Sequence, residues 1–326
     1  VPIRIGFIGS GGIAGAHFNT LEHIKDAQLV AFSDMDKNRA EAAARRFDGK
    51  AYTDAKKMLE AETLDAVYVC LPPHVHGNPE ILAVEKGCAL FIEKPIANTM
   101  KAAEKIASAI EDAKVPVSVG YHWRYHQATA RAQAQLSAKK VAQPAMCYGR
   151  WLGNFPGVPW WRKMEQSGGQ LVEQTTHIID LARYLMGEIT SVSCVAALRE
   201  MDKVYEGTTV PDVMAFVANF ENGAIGHFST TPMLNGFADV GLDLYARDTV
   251  YKIGANTLSV QKTADGETQI FTGKNSATMD EDKAFVQAVK SGKRTGIKST
   301  YADALKTLRV TLAANQSAKS GKVVKL

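Results

Sequence analysis

Three short stretches of this 326-residue chain carry side chains that could do chemistry together. In GCALFIEKPIANT (87–99), the apolar run Ala89-Leu90-Phe91-Ile92 ends in Glu93-Lys94-Pro95. Burying charge is costly and proline stops a β-ladder, so a strand ending this way must emerge at a sheet edge. A lysine at a ligand-binding edge could polarise a hydroxyl or oxyanion, its pKa lowered by partial desolvation. A surface Glu–Lys pair at a strand end is the competing reading. The second stretch, GGQLVEQTTHIIDLARYLMGE (168–188), reads as one helix from about residue 170 to 186. With Glu173 at 0° and about 100° per residue, His177 falls near ~40°, Asp180 near ~−20° and Tyr184 near ~20°. Ile178, Leu181, Ala182 and Leu185 gather on another side, so the polar stripe is too narrow for an ordinary solvated face. A histidine with carboxylates at i−4 and i+3 can be oriented and tuned as a general acid/base. The bland alternative is a buried histidine satisfied by Asp180.

The third stretch is GFIGSGGIAGAH (6–17), in which Gly9-Ser10-Gly11-Gly12-Ile13-Ala14 fits G-x-G-x-x-A between a strand and a helix. Gly9 would make the tight turn, Gly11 would admit a pyrophosphate to the backbone, and Ala14 would let the helix pack on the sheet. Gly12 and Ile13 open that helix, whose free N–H groups face the phosphates. Asp34, 25 residues after Gly9, ends the second strand, where a carboxylate can accept both adenosine ribose hydroxyls and repel a 2′-phosphate. That favours NAD and leaves NADP possible through Arg39. The competing reading makes Asp34 or Asp36 the cap of the next helix.

Further candidates lie at neighbouring strand ends. Pro72-Pro73 closes the fourth strand at the edge where open α/β sheets bind ligands. His74 and His76 follow; the H-x-H pair has no further ligands nearby, so no metal is expected. His76 is read instead as a hydrogen-bonding residue beside a nicotinamide. Tyr121-His122-Trp123-Arg124-Tyr125-His126 and the loop aromatics Trp151, Phe155, Trp160 and Trp161 could offer flat faces to the C–H faces of sugars. Tyr121 and Trp161 are the substrate-facing candidates and Arg124 a cofactor contact. Interleaved arginine and aromatics could also suit single-stranded nucleic acid, but no basic stripe supports that.

The elements that must position these groups change character along the chain. Apolar, β-rich runs at 3–8, 28–32, 65–71, 89–92 and 115–119 alternate with amphipathic segments such as 37–47 and 99–113, predicting a parallel sheet with helices on both faces. After about residue 125 the pattern predicts a helix over 126–138, an irregular segment over 151–169, strands from 189 to 272, and helices over 279–291 and 300–318. The chain therefore divides into an α/β dinucleotide-binding domain, residues 1–122, and an α+β domain with a largely antiparallel sheet, residues 123–326. At 46% hydrophobic and 22% charged residues with net charge +4, the chain can bury a sizeable core and implies neither nucleic acid nor membrane as partner. Cys70, Cys88, Cys147 and Cys194 form no C-x-x-C pair and fit a reducing, cytoplasmic setting. No signal peptide is visible and no run approaches the roughly 20 apolar residues of a membrane helix.

Taken in order, GFIGSGGIAGAH, Asp34, LPPHVHGN, EKP, VGYHWRY, GGQLVEQTTHIID and FVQAVKSGKRTGIKSTYADALKTL resemble the glucose–fructose oxidoreductase, inositol dehydrogenase and rhizopine-catabolism family (Gfo/Idh/MocA), nearly end to end. The resemblance implies an N-terminal Rossmann domain, doubly wound, and a C-terminal domain with a large open sheet. It implies a nicotinamide cofactor and hydride transfer at a hydroxyl carbon of a sugar or polyol. Lys94 would match the family's catalytic lysine, with Lys94-Pro95 in cis. His177 would match its catalytic histidine, and Glu173 the acid before it, which is often Asp. Glu93 would line the cofactor site or anchor Lys94. Homodimers or homotetramers are the expected assembly. Two other family functions stay open: glycoside cleavage with transient oxidation and no net redox, and a dinucleotide-binding sensor or repressor.

Overall fold

The computed structural model describes residues 1–138 and 142–326. Two compact units account for the chain: Val1–His122 with Ser276–Leu305, and Trp123–Asn275 with Lys306–Leu326. The sequence pattern placed one boundary near 122 and nothing later. The return of residues 276–305 to the first unit has a packing cause: helix Ala277–Ser291 delivers Phe285 and Val286 into that unit's core.

In the first unit, β1 (Ile3–Ile8), β2 (Ala27–Ser33), β3 (Lys50–Tyr52), β4 (Ala66–Val69), β5 (Ala89–Ile92) and β6 (Val117–Val119) form one sheet in the order β3-β2-β1-β4-β5-β6. Every pairing is parallel. The order reverses between β1 and β4, so a crevice opens at their carboxyl ends, where such sheets bind ligands. Register puts Phe32, Phe7, Tyr68 and Phe91 side by side on four neighbouring strands. Their rings form a row, with Phe7–Tyr68 centroids 4.8 Å and Tyr68–Phe91 centroids 4.6 Å apart. Such pairs add specific stacking to area burial, which fixes the register that brings the strand ends level. The third strand, β3, is short: Lys50-Ala51-Tyr52 has no apolar run because it pairs only at the sheet edge.

The second unit is built on β7 (Met146–Asn154), β8 (Ile189–Ala197), β9 (Val213–Phe220), β10 (Ile225–Leu234), β11 (Asp239–Tyr245), β12 (Thr249–Gly254), β13 (Thr257–Lys262), β14 (Thr268–Thr272) and β15 (Val324–Lys325). They form a nine-stranded sheet in the order β14-β13-β12-β11-β7-β10-β9-β8-β15. The pairings are antiparallel except β7 with β10. Alternation along the strands separates the faces. Phe216, Phe228, Leu242 and Leu244 point into a core with Ile178, Leu181 and Ala182 of helix Thr176–Met186, and with Val310 and Ala314 of the last helix. Met146, Val195, Val217 and Ile225 stand exposed. Registered neighbours put these four on one face. β7 overlaps the segment read as irregular; its two glycines and mixed polarity hide a central strand.

One expected helix is two. Helix Gly169–Glu173 stops, and helix Thr176–Met186 starts after Gln174 and Thr175. The Thr175 hydroxyl is pulled to Thr230 of β10 at 2.7 Å, a tertiary contact that single-helix periodicity cannot foresee. Among the described residues no helix is long and apolar enough to cross a membrane.

Candidate active site

In the first unit the glycine loop is shaped by what surrounds it. Gly9 has φ +91°, and a Cβ there would lie 2.2 Å from the Cys70 carbonyl oxygen, so only glycine fits. Cβ atoms at Gly11 or Gly12 would meet nothing within 4 Å. The start of helix Gly12–Leu21 carries no side-chain cap, so its first N–H groups face open space beside a small, buried Ala14. This is the room and polarity a pyrophosphate needs. Ile13 is exposed on the same turn.

Asp34 is partly exposed just past the end of β2. Its Oδ2 accepts the Ser10 N–H at 2.8 Å and its Oδ1 the Asp36 N–H at 2.9 Å. The carboxylate is thus tied to the glycine loop and keeps lone pairs for hydroxyl donors. Asp36, not Asp34, caps the following helix, accepting the Asn38 N–H at 2.9 Å. Arg39 lies on the solvent face against Asp36.

At the end of β4, Pro72 and Pro73 lead into a short turn, after which His76 is buried and His74 exposed. One ring nitrogen of His76 bonds Glu80 and the other donates to the Leu71 carbonyl at 3.1 Å. Glu80 also accepts the Gly77 N–H, so His76 braces this loop against the helix Asn78–Glu85. At the end of β5, the Lys94-Pro95 peptide is cis. Lys94 is partly exposed, but Glu93, expected to emerge with it, is buried, its charge met by partners: its Oε1 faces His17 Nε2 at 3.1 Å and its Oε2 accepts the Lys94 N–H at 3.1 Å. Burial would raise the Glu93 pKa, but the hydrogen bond and charge of His17, with Lys94 and His122, hold it below the usual carboxylate value. Gly120, just past β6, makes room: a Cβ there would stand 2.4 Å from Glu93 Oε1. Tyr121 follows, buried.

In the second unit, His177 is buried in the first turn of its helix, with the Trp151 ring stacked on it at 5.8 Å. Glu173 ends the preceding short helix and accepts the Trp161 indole N–H at 3.0 Å. Trp161 is itself locked by Phe155, Met201 and Val210. Asp180 is committed elsewhere: Arg124 makes a two-pronged pair with it, at 2.7 and 2.6 Å, and Thr307 adds a third bond at 2.9 Å. The Arg124 guanidinium also lies 4.7 Å from the Tyr184 ring. The stripe seen on the wheel therefore splits. Glu173 and His177 stand with two tryptophans, whereas Asp180 and Tyr184 hold Arg124.

His17, Gly120 and Asp282 were not singled out from sequence, although His17 and Gly120 border Glu93 and Asp282 bonds the far side of His17. A signal existed for His17: Ala14, His17, Phe18 and Leu21 share i, i+3, i+4, i+7 spacing, which puts a histidine on a core-facing stripe. Asp282 lies 265 residues further along and has no local signal.

Comparison with known proteins agrees with this geometry. Residues 3–121 match a family model described as oxidoreductase family, NAD-binding Rossmann fold, and residues 129–247 match the GFO/IDH/MocA C-terminal domain. The scyllo-inositol 2-dehydrogenase (NAD(+)) of Bacillus subtilis is 27% identical over 99% of this chain and 96% of its own. The myo-inositol 2-dehydrogenase of Thermotoga maritima is 24% identical over 99% and 98%. Among solved structures, an NAD binding oxidoreductase from Klebsiella pneumoniae superposes with a TM-score of 0.88 at 21% identity, covering 100% of this chain and 99% of that one. Levoglucosan dehydrogenase in complex with NADH gives 0.86 at 21%, over 100% and 99%. At these identities the superpositions establish the fold.

Proposed function

The chain belongs to the Gfo/Idh/MocA oxidoreductase family, and on that premise we propose that it is an NAD-dependent dehydrogenase of a sugar, polyol or sugar-derivative hydroxyl. The observation that carries the reading is the open glycine loop tied by hydrogen bond to the Asp34 carboxylate. The end-to-end similarity to the two inositol dehydrogenases supports the substrate class.

Gly9, Gly11, Gly12 and Ile13 would seat the pyrophosphate and Asp34 the adenosine ribose. Pro72, His76, Glu93 and Lys94 belong to loops that the nicotinamide half would pass. Arg124, held by Asp180, would serve the cofactor indirectly by stiffening the segment that follows Tyr121. Nicotinamide, when bound, accepts the hydride from the carbinol carbon. Lys94 donates a hydrogen bond to the reacting oxygen and stabilises negative charge developing there. His177 takes the hydroxyl proton in oxidation and returns it in reduction. Trp161 holds Glu173 ready to accept from a second substrate hydroxyl or to assist His177; the Trp161 and Tyr121 rings, expected to face substrate, are each only 1% exposed and act as packing groups. We also propose a homodimer or homotetramer assembled through the face that exposes Val195, Val217 and Ile225. A cytoplasmic setting is supported by four free thiols.

A panel of inositols, sugars and sugar acids, offered with NAD and with NADP and read at the nicotinamide absorbance, tests the activity. Net reduction of NAD with one polyol class is the expected result. Substrate cleavage without net reduction would overturn the dehydrogenase reading in favour of transient oxidation. Lys94→Ala is expected to reduce turnover to a small residual rate while NAD binding survives; near-normal kcat would remove Lys94 from the chemistry.

A further inference from the structure

Inside the first unit, five polar side chains from four elements meet in an apolar core: His17, Tyr68, Glu93, Glu281 and Asp282, none more than 4% exposed. His17 lies between two carboxylates. Its Nδ1 is 2.8 Å from Asp282 Oδ1 and its Nε2 is 3.1 Å from Glu93 Oε1. Tyr68 and Thr20 donate to Asp282 from β4 and from the glycine-loop helix. Phe91 and Tyr68 pack against the His17 ring, edge-on and tilted, with centroids at 4.8 and 5.2 Å. Uncompensated charge in such a place is strongly destabilising, so the arrangement must satisfy itself.

We propose that His17 is a positioning residue for Lys94. The chain Asp282–His17–Glu93 fixes the Glu93 carboxylate, whose second oxygen accepts the Lys94 backbone N–H and so sets the turn that presents the lysine. Because His17 rides on the helix that begins at the glycine loop, the dinucleotide seat and the Lys94 turn are braced by one rigid element. Gly120 belongs to the same device, since any larger residue would displace the Glu93 carboxylate. Charge balance agrees. Burial alone would lower the His17 pKa, but Asp282 and Glu93 outweigh it and hold the ring protonated well above its usual range. An imidazolium donates from both nitrogens, one to each carboxylate.

His17, Glu93 and Glu281 also have metal-ligand chemistry, with donor atoms all within 4.8 Å of one another, and Glu281 Oε2 is buried without a hydrogen-bond partner. Both ring nitrogens of His17 already lie at hydrogen-bond distance from carboxylates, Asp282 and Glu93, an arrangement that favours a hydrogen-bonded bracing network over a metal centre.

The inference rests on the proposed role of Lys94, and a double-mutant cycle separates the two. His17→Gln, Lys94→Ala and the double variant are compared for kcat, KM and NADH binding by fluorescence. A misplaced catalytic group can cost about 100-fold, so His17→Gln is expected to lower kcat roughly 10- to 100-fold. NADH should still bind at one per chain, with Kd changed less than about threefold. In the Lys94→Ala background the same substitution should change residual kcat less than about twofold, because residues acting as a unit are non-additive. Unchanged kcat in His17→Gln, or independent losses that multiply, would overturn the positioning role. Normal kcat in Lys94→Ala would instead defeat the Lys94 reading on which it rests. If His17→Gln does not fold, Glu93→Gln enters the same cycle. Two further measurements begin from the wild-type protein. The Lys94 amide should exchange slowly in the wild-type enzyme, and the purified protein should hold less than about 0.1 equivalent of divalent metal. A fast-exchanging amide, or stoichiometric metal lost in Glu281→Gln, would overturn the proposal.

Discussion

Replacing Asp34 with serine should move dinucleotide preference by an amount that the structure allows to be worked out. The carboxylate is partly exposed, so its field is screened much as in water. A 2′-phosphate dianion about 5 Å away would be repelled by about 1.7 kcal/mol, and removing the charge should improve NADP binding roughly 15-fold. Losing two charge-assisted bonds to the ribose hydroxyls, partly replaced by water, should cost NAD about 3 kcal/mol, or roughly 150-fold. Asp34 also anchors the Ser10 and Asp36 amides, and that support disappears in the variant. The loss strikes both dinucleotides alike and cancels in their ratio. The measurement is therefore the ratio of kcat/KM for NAD to that for NADP, wild type against Asp34→Ser, at one fixed polyol concentration. A fall in the ratio of roughly three orders of magnitude is expected. A change smaller than about tenfold, even with both activities reduced, would mean that Asp34 serves the loop and not the ribose.

Three further outcomes are expected. Arg124→Met leaves Asp180 charged and fully buried, which should cost about 3–5 kcal/mol in urea unfolding, and adding Asp180→Leu should recover most of the loss. Glu281 keeps a proton in the folded protein that it releases when unfolded, so its contribution to stability declines as pH rises above its ordinary pKa; the Tm of Glu281→Gln relative to wild type should therefore climb steadily between about pH 5 and 8. Trp161→Phe keeps a ring in the pocket but deletes the indole donor to Glu173; a loss of about 1.5–3 kcal/mol in kcat/KM is expected, and an unchanged value would separate Glu173 from the reaction.

The parts of this molecule legible in its sequence are those whose cause is local. The glycine loop declares itself because turn, helix start and small packing residue fall within six positions. Helix Lys37–Phe47 was bounded correctly because its cap, apolar face and final basic residues lie inside one segment. The Glu173/His177 stripe was found for a reason that proved incomplete. The wheel assumed one helix, yet the helix breaks at Gln174-Thr175, where Thr175 bonds Thr230, and Asp180 on the same wheel belongs to Arg124. Glu93 shows the limit most plainly. Its charge announced a special position, but its partner His17 lies 76 residues upstream and that partner's other carboxylate lies 265 residues from it. Residues 279–291 had clear helical periodicity, but periodicity cannot say which of two cores an apolar face will fill.

That late segment sets a timetable for the chain's synthesis. The ribosome finishes residue 122 long before it delivers Phe285 and Val286, which complete the first unit's core. At about 5–20 residues per second, the parallel sheet waits roughly 10–40 s with one flank uncovered. During that interval the aromatic row beneath the glycine-loop helix lacks its outer layer, and His17 lacks Asp282. The nascent first unit is thus a natural client for chaperones, and a ribosome stalled before residue 276 would display an unfinished nucleotide-binding module.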